Sequence, residues 1–409
     1  MSTEEVQTAI RFQQEQGWFV FGGDFALLKE FLSRKRTNLW IPLQFLDYLL
    51  RGFGAVTLAN NPISGLFIVI ALAVNSPGIL IFSATTGLLG LLFSILIGEP
   101  SEKIENGLTV FNPLLVGALA YVFIPKLYGP FDAFCLLFLF FCTIFSVYLS
   151  RSIGIGKLPS LTYPFVIAEF MLLFILKHHN SGFKLEEFSF NGTINNGAGN
   201  MTIEDTGTIV GKEDTVSPEW GMIFRGVVTS ASQVFAVDDV AVGSVVYLAI
   251  LIYSPITTVF SLAGALISSL LGLQLNVPVE LIYSGVWGFN GILTGAALGG
   301  HFLIINQYSC MATIVAIAFT STLQFIIYNI LDQFQLPFLA MPFVLTTWLF
   351  LCLANSTEDT FIYCQHPSYP EKQRQEFYQS RVNQRERVID EEYDPEALLN
   401  DGKTITIVS

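Results

Sequence analysis

The sequence is short of the residue types on which most enzyme chemistry depends. Its 409 residues include four histidines and five cysteines. His178 and His179 adjoin at the end of an apolar run, His301 follows Gly299-Gly300, and His366 lies near the C-terminus. Neither metal-ligand spacing nor a catalytic triad emerges from them. Cys135, Cys142, Cys310 and Cys352 sit in apolar runs, where a thiol behaves as a small hydrophobe, and Cys364 lies in the C-terminal tail. No disulfide framework is implied. Walker and dinucleotide-binding motifs are missing, which argues against ATP-driven pumping by this chain alone. The expectation is a non-enzyme with no cofactor, no metal and no nucleic-acid partner. A cleavable signal peptide is not expected either, because residues 1–37 are polar and mixed in charge.

Charge is also scarce, at 13% of residues against a usual value of about 25% in soluble domains. It is segregated as well. Residues 1–37 carry ten of the 53 charged side chains, 178–219 carry nine and 354–409 carry 17, which leaves 17 for the 274 residues between. With 52% apolar residues overall, this is a membrane core with wet ends. Apolar runs at 62–76, 79–97, 111–125, 130–150 and 159–177 predict spans or part-spans, preceded by a helix near 40–60. The runs are continuous rather than alternating, which disfavours a β-barrel.

The chain repeats itself. PSEKIENGLTVFNPLLVGA at 100–118 recurs as PVELIYSGVWGFNGILTGA at 278–296, identical at nine of 19 positions, where chance gives roughly two. The same offset of 178 aligns Ser76-Pro77 with Ser254-Pro255, Gly65 with Gly243, and Leu158-Pro159-x-Leu161-x-x-Pro164-Phe165 with Leu336-Pro337-x-Leu339-x-x-Pro342-Phe343. Three separated blocks in one register make the chain two copies of one unit. In the first copy, charged residues and a glycine lead into a run too short to cross comfortably (100–126), which reads as a re-entrant helix facing a protein-lined cavity, and the second copy mirrors it.

The segment joining the copies carries Lys184 and Lys212 against seven carboxylates, with N-x-S/T sequons at Asn191 and Asn200. Both features place it outside. Arg34-Lys35-Arg36 before the first span and Arg374, Arg381, Arg385 and Arg387 after the last place both ends inside. The triplet Asn355-Ser356-Thr357, beside that inside tail, is attributed to chance. An inside start and an outside linker require an odd number of crossings, so the second copy runs upside down. The expected fold class is therefore an all-α polytopic membrane protein: an inverted repeat of two five-span halves, each with a re-entrant helix, around a central pore. Its expected segments are a cytoplasmic 1–37, a first repeat at 38–177, an extracellular linker at 178–219, a second repeat at 220–353, and a cytoplasmic acidic tail at 354–409.

Ionisable residues near the spans are few: Asp47, Glu169, Asp238, Asp239, Glu280 and Asp332 are the carboxylates to weigh for ion or proton coupling. Glu280 and its twin Glu102 fit helix starts. Glu169, with no basic partner evident, is expected at a wet or end-of-span position. Phe111 and Phe289, with Leu115 and Leu293 four residues on, place Phe and Leu on one helix face in each copy. Two such faces make either an apolar slot for a flat neutral solute or ordinary core packing.

These residues resemble the urea transporter family. Phe111-Asn112-Pro113-Leu114-Leu115-Val116-Gly117 is similar to its first-repeat signature, and Gly285-Val286-Trp287-Gly288-Phe289-Asn290 with Leu293 and Gly299-Gly300 to its second. Arg51-Gly52, Asn61-Pro62-x-Ser64-Gly65, Leu158-Pro159-x-x-Thr162-x-Pro164-Phe165 and Tyr369-Pro370-Glu371 extend the resemblance over about 45–380. It implies passive conduction of urea, or a closely related small neutral amide, by a homotrimer of independent pores in the plasma membrane. The implied pathway is walled by Phe111, Phe289, Leu115 and Leu293, with Val56 and Val234 beside glutamine positions, and Gln233 and Thr162 supplying polar edges. The family's other glutamine and threonine fall on Ala55 and Ala340, and its second Asn-Pro pair on Asp239-Val240. Half of the polar filter is thus absent, which leaves open a broader selectivity for water, ammonia or other small neutral solutes. Proton- or ion-coupled transport is a further alternative, and a non-conducting scaffold or sensor is a third.

Overall fold

The computed structural model describes residues 22–392 apart from 36, 154–157, 183–217, 357–359 and 365–366. Asn191 and Asn200 lie outside the described residues, as does most of the linker. The described chain is helical, with one isolated antiparallel bridge, Leu303 to Tyr363. After α1 (Ala26–Ser33), the first half comprises α2 (Ile41–Ala55), α3 (Pro62–Asn75), α4 (Pro77–Leu96), α5 (Ser101–Glu105), α6 (Phe111–Leu127), α7 (Ala133–Ile153) and α8 (Tyr163–Gly182). The second comprises α9 (Trp220–Gln233), α10 (Val240–Tyr253), α11 (Pro255–Gln274), α12 (Val279–Tyr283), α13 (Phe289–Ala296), α14 (Gln307–Asp332) and α15 (Met341–Leu351). The short α16 (Leu353–Ser356) and the tail helix α17 (Pro370–Glu392) follow. Helices α4, α7, α11 and α14 are long and apolar enough to cross a membrane by length and composition. Helices α3, α6, α10 and α15 are shorter and apolar.

The offset of 178 governs the backbone as well as the sequence. Helices α10, α11 and α12 begin and end 178 residues after α3, α4 and α5, and α13 and α15 begin 178 after α6 and α8. The left-handed residues repeat too: Leu58 (φ 60) with Ala236 (φ 57), Gly98 (φ 71) with Asn276 (φ 54), Gly107 (φ 65) with Gly285 (φ 81), and Leu161 (φ 49) with Leu339 (φ 50). For leucine and alanine this region is strained, and it persists only where the surroundings over-determine it. Matched strain at matched positions means that both halves solve the same local packing problem.

Helix limits follow from local chemistry. Pro62, Pro77 and Pro255 occupy first helical positions, where the missing N–H costs nothing. Asn61 caps α3, its Oδ1 accepting from Ile63 N at 2.7 Å, and Asp239, its counterpart, caps α10 by accepting from Val242 N at 2.8 Å. Helix α8 starts at Tyr163, later than the apolar run suggests, because the left-handed turn at Leu161 comes first. In the second half the helix matching α6 is broken. Helix α13 passes into a π-type turn at Ala297–His301, with Gly300 at φ 116.

The halves pack on one another through α3 and α10, where the Ser64 hydroxyl donates to Ala249 O at 2.6 Å. Trp348 Nε1 reaches across to Pro159 O at 2.8 Å, and its ring lies 5.0 Å from that of Tyr163. Close approach depends on missing side chains: a Cβ on Gly65 would fall 1.8 Å from Leu50 O, and one on Gly243 would fall 2.3 Å from Val228 O, the residue 178 after Leu50.

Candidate solute pathway

Two kinds of element carry the predicted site: the ends of α2 and α9, and the starts of α6 and α13. Helix α2 ends at Ala55, with Val56 as its cap, and α9 ends at Gln233, with Val234 as its cap. Phe111 and Phe289 open α6 and α13. The Leu-Pro segments are tied to these helix starts by one bond repeated in both halves. Asn112 Nδ2 donates to Leu161 O and Asn290 Nδ2 donates to Leu339 O, each at 3.1 Å. In the first half Asn112 Oδ1 also accepts from Phe165 N at 3.2 Å. A single buried asparagine therefore fixes Thr162, and its counterpart fixes Ala340, beside the helix that presents the phenylalanine.

A cavity of about 830 Å³ runs into the protein, and five predicted residues line it together: Ala55, Val56, Phe111 and Thr162 from the first half and Leu293 from the second. Leu115, Phe289, Val234, Gln233 and Ala340 are not among its lining residues. Gln233 instead donates through Nε2 to Ser284 O at 2.8 Å. The corresponding pair in the first half is Ala55 and Asn106, and there both residues line the cavity. Truncating the glutamine to alanine coincides with open space.

Three buried oxygens in the lining have no hydrogen-bond partner among the described residues: Asn60 Oδ1, Thr109 Oγ1 and Thr162 Oγ1. A buried polar atom left unmatched costs about 1–3 kcal/mol, and a solute able both to donate and to accept hydrogen bonds would offset that cost at Asn60 and at either threonine hydroxyl. Of the three, only Thr162 is reached from the sequence. A usable signal for Thr109 was the size mismatch with its counterpart Trp287, and Asn60 gave none.

The cavity is also lined by Glu99, Glu102, Lys103 and Arg151, and by Asp24, Ser368, Lys372 and Glu376 from the two terminal segments. These segments are held down by specific bonds. Gly23 N donates to Tyr253 O at 3.1 Å, and Asn61 Nδ2 donates to Gly23 O at 2.7 Å. Glu371 Oε1 accepts from the Ser254 hydroxyl at 2.9 Å and from Ile256 N at 3.0 Å, capping α11 from the tail. Asp24 accepts from the Ser368 hydroxyl. It keeps some surface toward the cavity yet is densely surrounded. Burial pushes its carboxyl above the usual carboxylate range, while Lys372, Ser368, Arg51 and Lys29 pull it back.

The carboxylates weighed for coupling sort themselves out. Asp47 is buried and paired with Arg51 (Nε to Oδ2, 2.9 Å), Asp238 pairs with Arg225 at 2.8 Å, and Asp239 is the cap of α10. Glu102 and Glu280 lie in the first turns of α5 and α12, as expected. Asp332 ends α14. Glu169 corrects the expectation of a wet or end-of-span position. It is 0% exposed in the first half of α8, neither oxygen has a hydrogen-bond partner among the described residues, and it does not line the cavity. The packing of α8 encloses it completely.

Residues 46–355 match the urea transporter family. Similar curated proteins include Urea transporter 1 of Capra hircus and of Ovis aries, each 29% identical over 345 residues, covering 83% of this chain and 85% of the relative. Urea transporter 1 of Mus musculus is 28% identical over 351 residues, covering 84% of this chain and 86% of the relative. The matched region spans both copies of the repeat and all ten predicted pathway residues, and the chain belongs to the urea transporter family.

Proposed function

We propose that this protein conducts urea passively across a membrane, down its gradient, through the cavity lined by Ala55, Val56, Phe111, Thr162 and Leu293. The observation that carries the reading is the lining of that cavity: apolar Phe111 and Leu293 together with Asn60, Thr109 and Thr162, whose side-chain oxygens are buried without a hydrogen-bond partner among the described residues. Urea is flat, neutral and donates from two NH₂ groups, so its faces suit the apolar walls and its edges the oxygens. Leu115 of the first half and Phe289, Val234, Gln233 and Ala340 of the second belong to the continuation of this pathway. Passive flux is favoured over coupling by membership of the urea transporter family; the six carboxylates weighed for coupling do not line the cavity, and Asp24, Glu99, Glu102 and Glu376 do.

In this reading the repeat is inverted. The α5–α6 and α12–α13 segments are re-entrant, the segments fall at 1–37, 38–177, 178–219, 220–353 and 354–409, and both termini are cytoplasmic. The linker carries glycans on Asn191 or Asn200, and the protein works as a homotrimer in the plasma membrane. The repeated backbone excursions at offset 178 and the docking of both terminal segments against one cavity support this arrangement.

The test is stopped-flow urea permeability of proteoliposomes containing wild type, Leu293→Trp or Ala55→Gln. Leu293→Trp should abolish flux by filling the slot, and wild-type flux should be unaffected by membrane potential. Ala55→Gln should raise urea flux by restoring a polar edge. Wild-type permeability no higher than that of protein-free vesicles would overturn the assignment.

A further inference from the structure

The two halves share one backbone but not one filling, and the difference is concentrated at one place. Ser94, Thr109, Ser150 and Ser160 line the cavity in the first half. Their counterparts 178 residues later are Gly272, Trp287, Tyr328 and Phe338, and none of these lines it. Small polar residues around Phe111 are thus exchanged for an aromatic cluster around Phe289. Trp287 lies 6.2 Å from Phe338 and 6.1 Å from Tyr328, ring centroid to centroid, and Tyr328 lies 6.3 Å from Phe338, all edge to face. Phe338 itself lies flat on Phe289, with centroids 5.8 Å apart and planes within 9°.

Residues 160 and 338 leave equivalent backbones. Each precedes a left-handed leucine, Leu161 at φ 49 and Leu339 at φ 50, whose carbonyl accepts from an asparagine at 3.1 Å. Where the first half has open space over the slot wall, the second half has a phenyl ring. On the assignment of this pathway to urea, we propose that Phe338 is an aromatic gate in the second half, a selectivity residue whose ring holds the seat on Phe289 that a flat amide solute must take.

Within the cluster Trp287 has a polar anchor, and Phe338, 6% exposed, is held through its ring contacts. Trp287 is 0% exposed, is held by a hydrogen bond from Nε1 to the Ser321 hydroxyl at 3.2 Å, and lies so close to Gly272 that a Cβ there would fall 2.6 Å from the indole. Phe338 has no polar anchor, and its seat is an aromatic face for which an amide competes. Passage across Phe289 therefore requires the Phe338 ring to leave it, and the rate reports the strength of that stack.

The experiment measures urea permeability of proteoliposomes at matched protein content for wild type, Phe338→Ser, Phe338→Leu and Ser160→Phe. Phe338→Ser installs the first-half residue and should raise permeability about two- to tenfold, the range set by one aromatic stack. Phe338→Leu keeps apolar bulk without a ring and should give a smaller rise. Ser160→Phe should lower flux by building the same gate over Phe111 in the first half. Should Phe338→Ser fail to fold, by loss of its thermal transition, Phe338→Leu and Ser160→Phe decide. A conducting wild type matched by the Phe338 variants overturns the gate and leaves urea conduction standing. No conduction by wild type or any variant overturns both, and conduction by the Phe338 variants alone supports the gate and overturns urea conduction by the wild-type protein.

Discussion

Arg51→Met tests how α2 is held at the pathway. Arg51 is 1% exposed; its Nε donates to Asp47 Oδ2 at 2.9 Å and its second arm donates to Asp24 O at 2.9 Å. Methionine preserves most of the volume but leaves Asp47, 4% exposed, as a buried carboxylate without its cation. Breaking such a pair from one side costs about 3–5 kcal/mol. Removing the carboxylate as well, in Asp47→Leu/Arg51→Met, relieves the stranded charge and leaves mainly the unmatched Asp24 carbonyl, a residual cost of about 1–3 kcal/mol. The double variant should therefore be more stable than the single by roughly 2 kcal/mol. The assay is thermal unfolding in detergent, with Arg51→Met lowering Tm by on the order of 5–10 °C and the second substitution recovering part of the loss. A double variant no more stable than Arg51→Met would refute the reasoning that the buried charge, rather than the lost packing, sets the cost.

Other measurements address the braces and the terminal segments. Asn290→Ala removes the bonds to Leu339 O and Gln324 Oε1, at 3.1 and 3.0 Å, and should cost about 1–3 kcal/mol in thermal unfolding, with Asn112→Ala comparable; unchanged Tm in both would remove the asparagine as the tie between the Leu-Pro segment and the pathway helix. Asp24→Asn addresses pH. Because burial raises the Asp24 carboxyl above its unfolded value, its stabilising contribution is fully present below about pH 4 and is lost as pH rises through the folded value. The Tm of Asp24→Asn minus that of wild type should therefore grow between pH 4 and 7.5, and a difference independent of pH would show that the carboxyl does not titrate within the folded protein.

The sequence by itself determined a great deal, because the chain states its architecture twice. Charge segregation gave the membrane core, and the offset of 178 marked the paired helix starts at Pro62 and Val240, Pro77 and Pro255, and Phe111 and Phe289. Proline, asparagine and apolar run length are local causes, so their effects are legible locally. The break at Gly299-Gly300 was visible as a motif, but its π-type turn was not, since that depends on the tail: a Cβ on Gly300 would fall 2.7 Å from Pro370.

Only the tertiary structure decided what surrounds each side chain. Glu169 looks like a functional carboxylate in sequence, but the packing of α8 encloses it away from the cavity. Thr109 and Asn60 look ordinary, yet their buried oxygens lie unmatched in the cavity wall beside Thr162. Two sequence copies predict two similar half-pathways. The difference between an open first half and an aromatic-filled second half depends on Thr109 against Trp287 and Ser160 against Phe338, whose effect is felt only once the fold brings each beside its phenylalanine. Repetition fixes the backbone because backbone preference is local, and filling fixes the pathway because free volume is a property of the whole neighbourhood.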